Sequence, residues 1–382
     1  MNLLKGSLQD ELDNFFQSLH QHPVEVREVS KAAFSKARQH LKHTAFIELN
    51  DTLLSDAYQT TSTKTWQGHR LCAIDGSTLR LPNREAIAEH FGRQQDDAVP
   101  QARLSVRYDV LNQVTLDTEL APIATGEREL AYLHLEKSQI GDLYLYDRGY
   151  TGFVMWAMHR AYQRDYVTRL PLDFCQEVTD FLKSSSVDSI VNLSPNKDAK
   201  SACMARGISH DALRVRLIKV VLTTGEIEVL ATSLMDASRY CHDQFQALYF
   251  LRWGVEEDIK VKKHRLEIEN FSGLSVESIY QDVHAKVLTQ NMTRLVAWIA
   301  EPIIEETTKH RKRDYQLNFT QALSKMKHTV VSLITACHPD RLLKALVALF
   351  AKTVEPIRPD RSFERKKSRE KRKFHRCYKS TR

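Results

Sequence analysis

The 382-residue sequence has no apolar run approaching the roughly 20 residues needed to span a bilayer, so it offers no membrane helix. Its first residues, Met1-Asn2-Leu3-Leu4-Lys5-Gly6, lack the long apolar core of a secretory signal. The six cysteines, at 72, 175, 203, 241, 337 and 377, are scattered and form no Cys-x-x-Cys pair. That spacing argues against a disulfide framework and against structural zinc, and it points to a reducing cytoplasm. No glycine-rich phosphate loop and no nucleotide-binding fingerprint is present, so no step driven by nucleotide hydrolysis is expected. The sixteen histidines make no tight ligand cluster, and no internal repeat is visible.

What remains is an ordinary soluble composition, 42% hydrophobic and 27% charged, on a chain long enough to bury a sizeable core in two or three lobes. The net charge of +7 is unevenly spread. Residues 358–382 carry twelve Lys/Arg against three Asp/Glu, so the rest of the chain is slightly negative. This tail, Arg365-Lys366-Lys367-Ser368-Arg369-Glu370-Lys371-Arg372-Lys373 at its centre, is too polar to pack and is expected to stay disordered until it meets a polyanion.

One segment stands out. Tyr249, Arg252, Glu256 and Lys263 sit at offsets of zero, three, seven and fourteen. On a continuous helix these fall within an arc of about 60°, and Lys260 extends it. Leu248, Leu251, Val255 and Ile259 form an apolar stripe beside it. Taken alone, the polar stripe reads equally well as a solvated helix face. A carboxylate among cations, however, also suits a metal ion with phosphate nearby.

Two aspartates upstream weight the second reading. Arg70-Leu71-Cys72-Ala73-Ile74-Asp75-Gly76-Ser77 and Asp142-Leu143-Tyr144-Leu145-Tyr146-Asp147-Arg148-Gly149-Tyr150 are each a short apolar run ending at an aspartate before a turn. Each reads as a buried strand delivering a carboxylate at its C-terminal end, where α/β sheets carry their sites. Turn chemistry explains either Asp-Gly or Asp-Arg-Gly alone; both together with Glu256 make coincidence a poor account. Three carboxylates can hold two divalent cations about 3.5–4 Å apart, which activate a nucleophile and stabilise the leaving oxygen at phosphorus. Mg²⁺ suits such an oxygen-only set.

On Ala73-Ile74-Asp75-Gly76-Ser77, the Asp147-Arg148-Gly149-Tyr150 box and the Tyr249/Arg252/Glu256/Lys263 signature, the chain resembles the DDE transposases of insertion sequences, in the group founded by insertion sequence four. Glu228-Val229-Leu230-Ala231-Thr232-Ser233-Leu234 and Glu267-Ile268-Glu269-Asn270-Phe271-Ser272-Gly273 also look like that family, and the resemblance covers about residues 25–300. It implies that Asp75, Asp147 and Glu256 are a catalytic triad holding two Mg²⁺ ions, with Mn²⁺ able to substitute. It further implies that Tyr249, Arg252 and Lys263 contact DNA phosphates; the neighbouring cations Arg148 and Lys260 are candidates for the same role on position alone. The activity implied is cut-and-paste transposition: binding of terminal inverted repeats, cleavage and strand transfer on double-stranded DNA, in a homodimeric synaptic complex. Against it stand a ribonuclease-H-like nuclease or resolvase that cuts without joining, and a catalytically silent DNA-binding derivative.

The expected architecture is α/β. Residues 1–65 read as a helical lobe with a candidate DNA-end-binding role, including a capped helix over 29–41. Residues 66–300 read as a ribonuclease-H-like core, from the order of three strands, helix, strand, helix, strand. The strands are 70–82, 104–111, 114–120, 143–147 and 166–170; the helices are 127–137 and 153–164. Residues 172–240 read as a β-rich insertion, with strands over 187–193, 213–222 and 227–233. Helices are expected over 276–299 and 316–350, residues 301–357 forming a helical C-terminal region before the tail, 358–382. In hairpin-forming relatives an insertion tryptophan stacks on a flipped base; here the four tryptophans are Trp66, Trp156, Trp253 and Trp298, none within 172–240, so the resemblance does not carry the hairpin route or its stacking residue over, and an aromatic such as Phe174 or Phe181 would have to substitute. The helical lobe before Ser30 is short for the family, as an N-terminal truncation would leave it.

Overall fold

The computed structural model describes residues 6–20, 22–24, 26–95, 98–222, 224–358 and 378. The basic stretch 365–373 lies outside them. The chain runs α1 (Leu8–His20), α2 (Lys31–Arg38), α3 (Thr44–Thr60), β1 (Arg70–Arg80), α4 (Glu85–Phe91), β2 (Gln101–Asp109), β3 (Val114–Pro122), α5 (Glu127–Glu136) and β4 (Asp142–Tyr146). After a 3₁₀ turn at Arg148–Tyr150 come α6 (Phe153–Tyr162), β5 (Asp165–Leu170), α7 (Gln176–Lys183), β6 (Asp188–Leu193), α8 (Lys197–Ala205), β7 (Leu213–Val221) and β8 (Ile227–Thr232). The last elements are α9 (Gln244–Phe250), α10 (Trp253–His264), α11 (Val276–Thr308), β9 (Tyr315–Leu317), α12 (Phe319–Thr335), α13 (Pro339–Lys352) and β10 (Val354–Pro356). The fold is mixed α/β and divides into two compact units.

One unit, Ser62–Thr78 with Arg103–Ile259, is built on the main sheet. Eight strands lie in the order β3-β2-β1-β4-β5-β8-β7-β6. The centre is parallel: Leu71 stands opposite Leu143, and Leu145 opposite Val167. Strands covered on both faces must be apolar throughout rather than alternating. The sequence complies, since Leu71, Cys72, Ala73, Ile74, Leu143, Tyr144 and Leu145 are all fully buried. From β5 outward the sheet turns antiparallel through β8, β7 and β6. The β1–β4 ladder ends at Ala73 opposite Leu145. Two residues past that last pair stand Asp75, still on β1, and Asp147, just beyond the end of β4.

The other unit, Met1–Thr61, Leu79–Ala102 and Lys260–Arg382, is mainly helical. Its spine is α11, opened by a capping box in which Ser275 and Ser278 cap each other's backbone. Val296, Ala297, Ala300 and Ile304 pack with Leu317, Met326, Val330, Leu346 and Phe350 to form its core. Ser30 caps α2 as expected, its side chain accepting from Ala33 N. The basic face of α2 is not all free for DNA. Arg38 donates to Gln281 Oε1 at 2.7 Å, Ser272 Oγ at 2.8 Å and Asp282 Oδ1 at 3.3 Å, pinning α2 to the start of α11.

Several elements depart from expectation. The single helix expected over 316–350 is a short strand and two helices, because Pro339 disfavours helical backbone at the residue before it and opens α13 instead. The helix expected over 276–299 continues to Thr308. Three short helices, α4, α7 and α8, were not anticipated; α7 and α8 lie within the segment read as β-rich. No helix among the described residues is long and apolar enough to cross a membrane.

Candidate active site

Asp75 and Asp147 each have one carboxylate oxygen fixed by the backbone that follows. Gly76 N donates to Asp75 Oδ1 at 2.8 Å, and Gly149 N donates to Asp147 Oδ1 at 2.7 Å. Asp147 thereby caps the 3₁₀ turn that carries Arg148-Gly149-Tyr150. The glycine of that turn has a steric reason. A Cβ at Gly149 would lie 2.9 Å from Asp147 Oδ1, closer than real side chains come. Gly76 is nearly as tight, since a Cβ there would lie 3.3 Å from the Glu127 side chain. Arg128 Nε donates to Gly149 O at 2.8 Å, and the buried Tyr150 ring packs against Tyr146 at 5.6 Å. Tyr150 is thus an anchor for the turn.

Glu256 comes from a helix that is not continuous with the one carrying Tyr249. Leu251 and Arg252 break the chain into α9 and α10. The joint is held by i→i+3 bonds: Arg252 N to Tyr249 O at 3.1 Å, Gly254 N to Leu251 O at 3.0 Å and Val255 N to Arg252 O at 3.2 Å. Tighter winding at the joint shifts the phase of what comes before it, so Tyr249 is turned relative to Glu256 from where an ideal helix would set it. Arg252 Nη2 donates to Glu256 Oε1 at 2.9 Å, and its guanidinium lies over the Trp253 ring at 5.0 Å and the Tyr249 ring at 5.8 Å. The Tyr249 hydroxyl donates to the backbone carbonyl of Tyr146 at 3.1 Å.

The three carboxylates share one electrostatic field. Burial pushes the Asp75 carboxyl up to about 6; the charges of Asp147 and Glu256 push the same way, against the Gly76 N–H and Arg252. Among the described residues, no donor reaches the second oxygen of Asp75, Asp147 or Glu256. Three hard oxygens left open, with mutual repulsion that a cation would relieve, are the donor set a divalent ion takes. The ligand atoms are not closed into a tight cage. The group among the described residues whose ligand atoms all lie within 4.8 Å of one another is elsewhere: Asp117, Glu119 and His134.

That second cluster already holds a cation. Lys137 Nζ donates to Asp117 Oδ1 at 3.2 Å and to Glu119 Oε1 at 2.5 Å, while His134 lies 2.7 Å from Asp117 Oδ2 and 3.0 Å from Ser105 Oγ. Burial works to raise the Asp117 carboxyl, but the His134 hydrogen bond and the His134 and Lys137 charges outweigh it and hold it well below the usual range. It is an internal ion-pair network tying β3 to α5.

Of the cations expected to meet DNA, Arg148 is exposed on the turn after Asp147 and Arg252 is buried beside Glu256. Lys260 is exposed and Lys263 half-buried, both later on α10. Phe181 is buried beneath Lys219, whose Nζ lies 5.1 Å from its ring; Phe174 packs against Trp156 at 5.4 Å. A cleft of about 590 Å³ opens beside the Asp147 turn, walled by Arg128, Tyr132, Tyr150, Trp156 and Phe174.

The transposase DDE domain family matches residues 66–292, which include all three carboxylates. Among curated proteins, the chain is similar to the transposase InsG for insertion sequence element IS4 of Escherichia coli (strain K12). The two are 23% identical over 354 residues, covering 88% of this chain and 76% of that protein. Among solved structures it is similar to the piggyBac transposase in a synaptic complex with hairpin DNA. There the TM-score is 0.43 and the identity 10%, covering 84% of this chain and 64% of that one.

Proposed function

The chain belongs to the transposase DDE domain family, and from that premise we propose that it cuts and joins DNA at the ends of an insertion sequence, with Asp75, Asp147 and Glu256 holding the metal. The observation that carries this reading is the parallel pairing of β1 with β4, the two strands that lead to Asp75 and Asp147, together with the charges of Asp147 and Glu256 felt at Asp75. The sheet order β3-β2-β1-β4-β5, with β1, β4 and β5 parallel, supports a ribonuclease-H-like core around the site.

The family's chemistry implies a divalent cation, and we assign two Mg²⁺ ions, with Mn²⁺ able to substitute. When bound, they lower the pKa of an attacking water or 3′-hydroxyl and stabilise charge on the leaving oxygen. The rest falls to the chain. Gly76 N and Gly149 N each hold one oxygen of an aspartate, which leaves the other for a metal. Arg252 fixes Glu256 and brings positive charge to a place where phosphate charge accumulates. Arg148, Lys260 and Lys263 are assigned to DNA phosphates, a role that the exposure of the first two supports. In this reading two copies act together on paired ends.

The test is direct. Asp147→Asn and Glu256→Gln should each reduce cleavage of end-bearing DNA by about a thousandfold or more, roughly 4 kcal/mol of transition-state stabilisation. Binding of the same DNA should change little. Chelating the divalent ion should have the same effect on the wild type, reversed by Mg²⁺. Normal cleavage by either variant removes the assignment. A joined product in strand-transfer assays separates a transposase from a nuclease that only cuts. Deleting the tail from residue 359 should flatten the salt dependence of nonspecific binding, because each lost phosphate contact removes about 0.9 from the slope. An unchanged slope would make the tail a bystander.

A further inference from the structure

The signature tyrosine faces protein. Tyr249 is 8% exposed, and its hydroxyl donates to the carbonyl of Tyr146, the last residue of β4 and the neighbour of Asp147. Three residues on, Arg252 is 6% exposed, stacked over the Tyr249 ring at 5.8 Å and bonded to Glu256 Oε1 at 2.9 Å. We propose that Tyr249 and Arg252 are positioning residues, forming a strut from the backbone before Asp147 to the Glu256 carboxylate and setting the separation of those two groups.

The need for a strut is geometric. Asp147 and Glu256 come from segments with α6, β5, the strands β6, β7 and β8 and three further helices between them, so no short covalent path fixes their distance. Mg²⁺ demands near-ideal octahedral geometry and tolerates little slack. The joint between α9 and α10 makes the arrangement workable. In an unbroken helix, residues seven apart share a face, and Tyr249 would point where Glu256 points. The i→i+3 bonds around Leu251 and Arg252 break that phase, so Tyr249 turns to Tyr146 and Glu256 stays open on one side.

The inference rests on the reading of Asp147 and Glu256 as metal-holding. Its experiment is Tyr249→Phe, which keeps the ring under the guanidinium and removes the donor. The Mg²⁺ concentration for half-maximal cleavage should rise about five- to tenfold, the scale of one buried hydrogen bond. The Kd for end-bearing DNA, measured without Mg²⁺, should stay within about twofold. Mn²⁺ should restore most of the lost rate. Arg252→Gln, which keeps a donor but loses the stacked fork, should shift the Mg²⁺ requirement the same way and carries the test should Tyr249→Phe fail to fold. An unchanged Mg²⁺ requirement overturns the strut, and so does a tenfold loss of DNA affinity at unchanged Mg²⁺ requirement, which would make Tyr249 a phosphate contact. Asp147→Asn and Glu256→Gln run alongside keep the two ideas apart. If they cleave normally, the metal reading fails; if they are inactive and Tyr249→Phe shows a wild-type Mg²⁺ profile, the strut alone fails.

Discussion

Asp75→Asn should inactivate the protein and, without metal, stabilise it. Asparagine keeps the shape of the side chain and can still accept from Gly76 N through its amide oxygen, but it carries no charge. The folded-state pKa of Asp75 is raised, from 3.8 to about 6, chiefly by burial. A group raised in this way contributes stability that is fully present below its unfolded pKa and is lost as pH rises through its folded one. The ionised carboxylate at pH 7.5 therefore costs the metal-free protein at most about 3 kcal/mol, and with partial exposure about 1–2 kcal/mol. Removing the charge should raise Tm by a few degrees at pH 7.5. The gain should shrink as pH falls through 6 and be gone below about 4. Mg²⁺ should raise the wild-type Tm and leave the variant's nearly unchanged, since a ligand stabilises only the state that binds it. Cleavage should fall by about a thousandfold or more. A variant less stable than wild type at pH 7.5, or a gain independent of pH, would mean that Asp75 is held by contacts other than those described.

This site is one in which function opposes stability, and that opposition is what the sequence exposes. A carboxylate ending a run of Leu, Cys, Ala and Ile is expensive unless something binds it. Asp147 likewise ends an apolar run, Leu143-Tyr144-Leu145-Tyr146, so both aspartates are legible without a structure. Their adjacency is not legible from either segment alone. It depends on a parallel register between strands about seventy residues apart, and register is fixed by long-range burial rather than by local pattern.

The glutamate helix shows the opposite case. Its composition announces a helix, and the offsets invite an ideal wheel, but the joint at Leu251–Arg252 carries no proline to mark it. At Gly254 a Cβ would lie 3.5 Å from the Val110 Cβ, an ordinary packing distance, so the start of α10 lies against the residue that follows β2. The Asp117–His134–Lys137 network was invisible because its members come from β3, α5 and the residue after it and meet only in the fold. Short helices such as α7 and α8 offer too few turns for a period to register. The break before α13 was marked by Pro339 all along, and an unbroken amphipathic pattern across it outweighed that mark.

The largest purely structural effect is expected far along the sheet from Asp75, at Asp188. Arg216 on β7 is 1% exposed and lies inside the protein among apolar neighbours. Its Nε and Nη2 donate to the two Asp188 oxygens at 2.9 and 2.5 Å, its Nη1 to Leu234 O at 3.0 Å, and its guanidinium lies 5.4 Å from the Phe245 ring. One side chain thus ties edge strand β6, the exit of β8 and helix α9 together. Asp188→Ala leaves a guanidinium buried with half its donors unpaired, and breaking one side of such a pair costs about 3–5 kcal/mol. Asp188 is partly exposed, so water can follow, and about 3 kcal/mol is the expected loss, read as a fall in Tm of roughly 6–10 °C. Adding Arg216→Met should recover at least half of it, because the penalty belongs to the stranded charge and not to the lost pair. Denaturant melts of the two single variants and the double variant close the cycle. A double variant no more stable than Asp188→Ala alone, with the two losses simply adding, would mean that Arg216 holds the sheet chiefly through Leu234 and Phe245. In that case the path from the outer strands to α9, and so to Tyr249, runs through those contacts and not through the Asp188 pair.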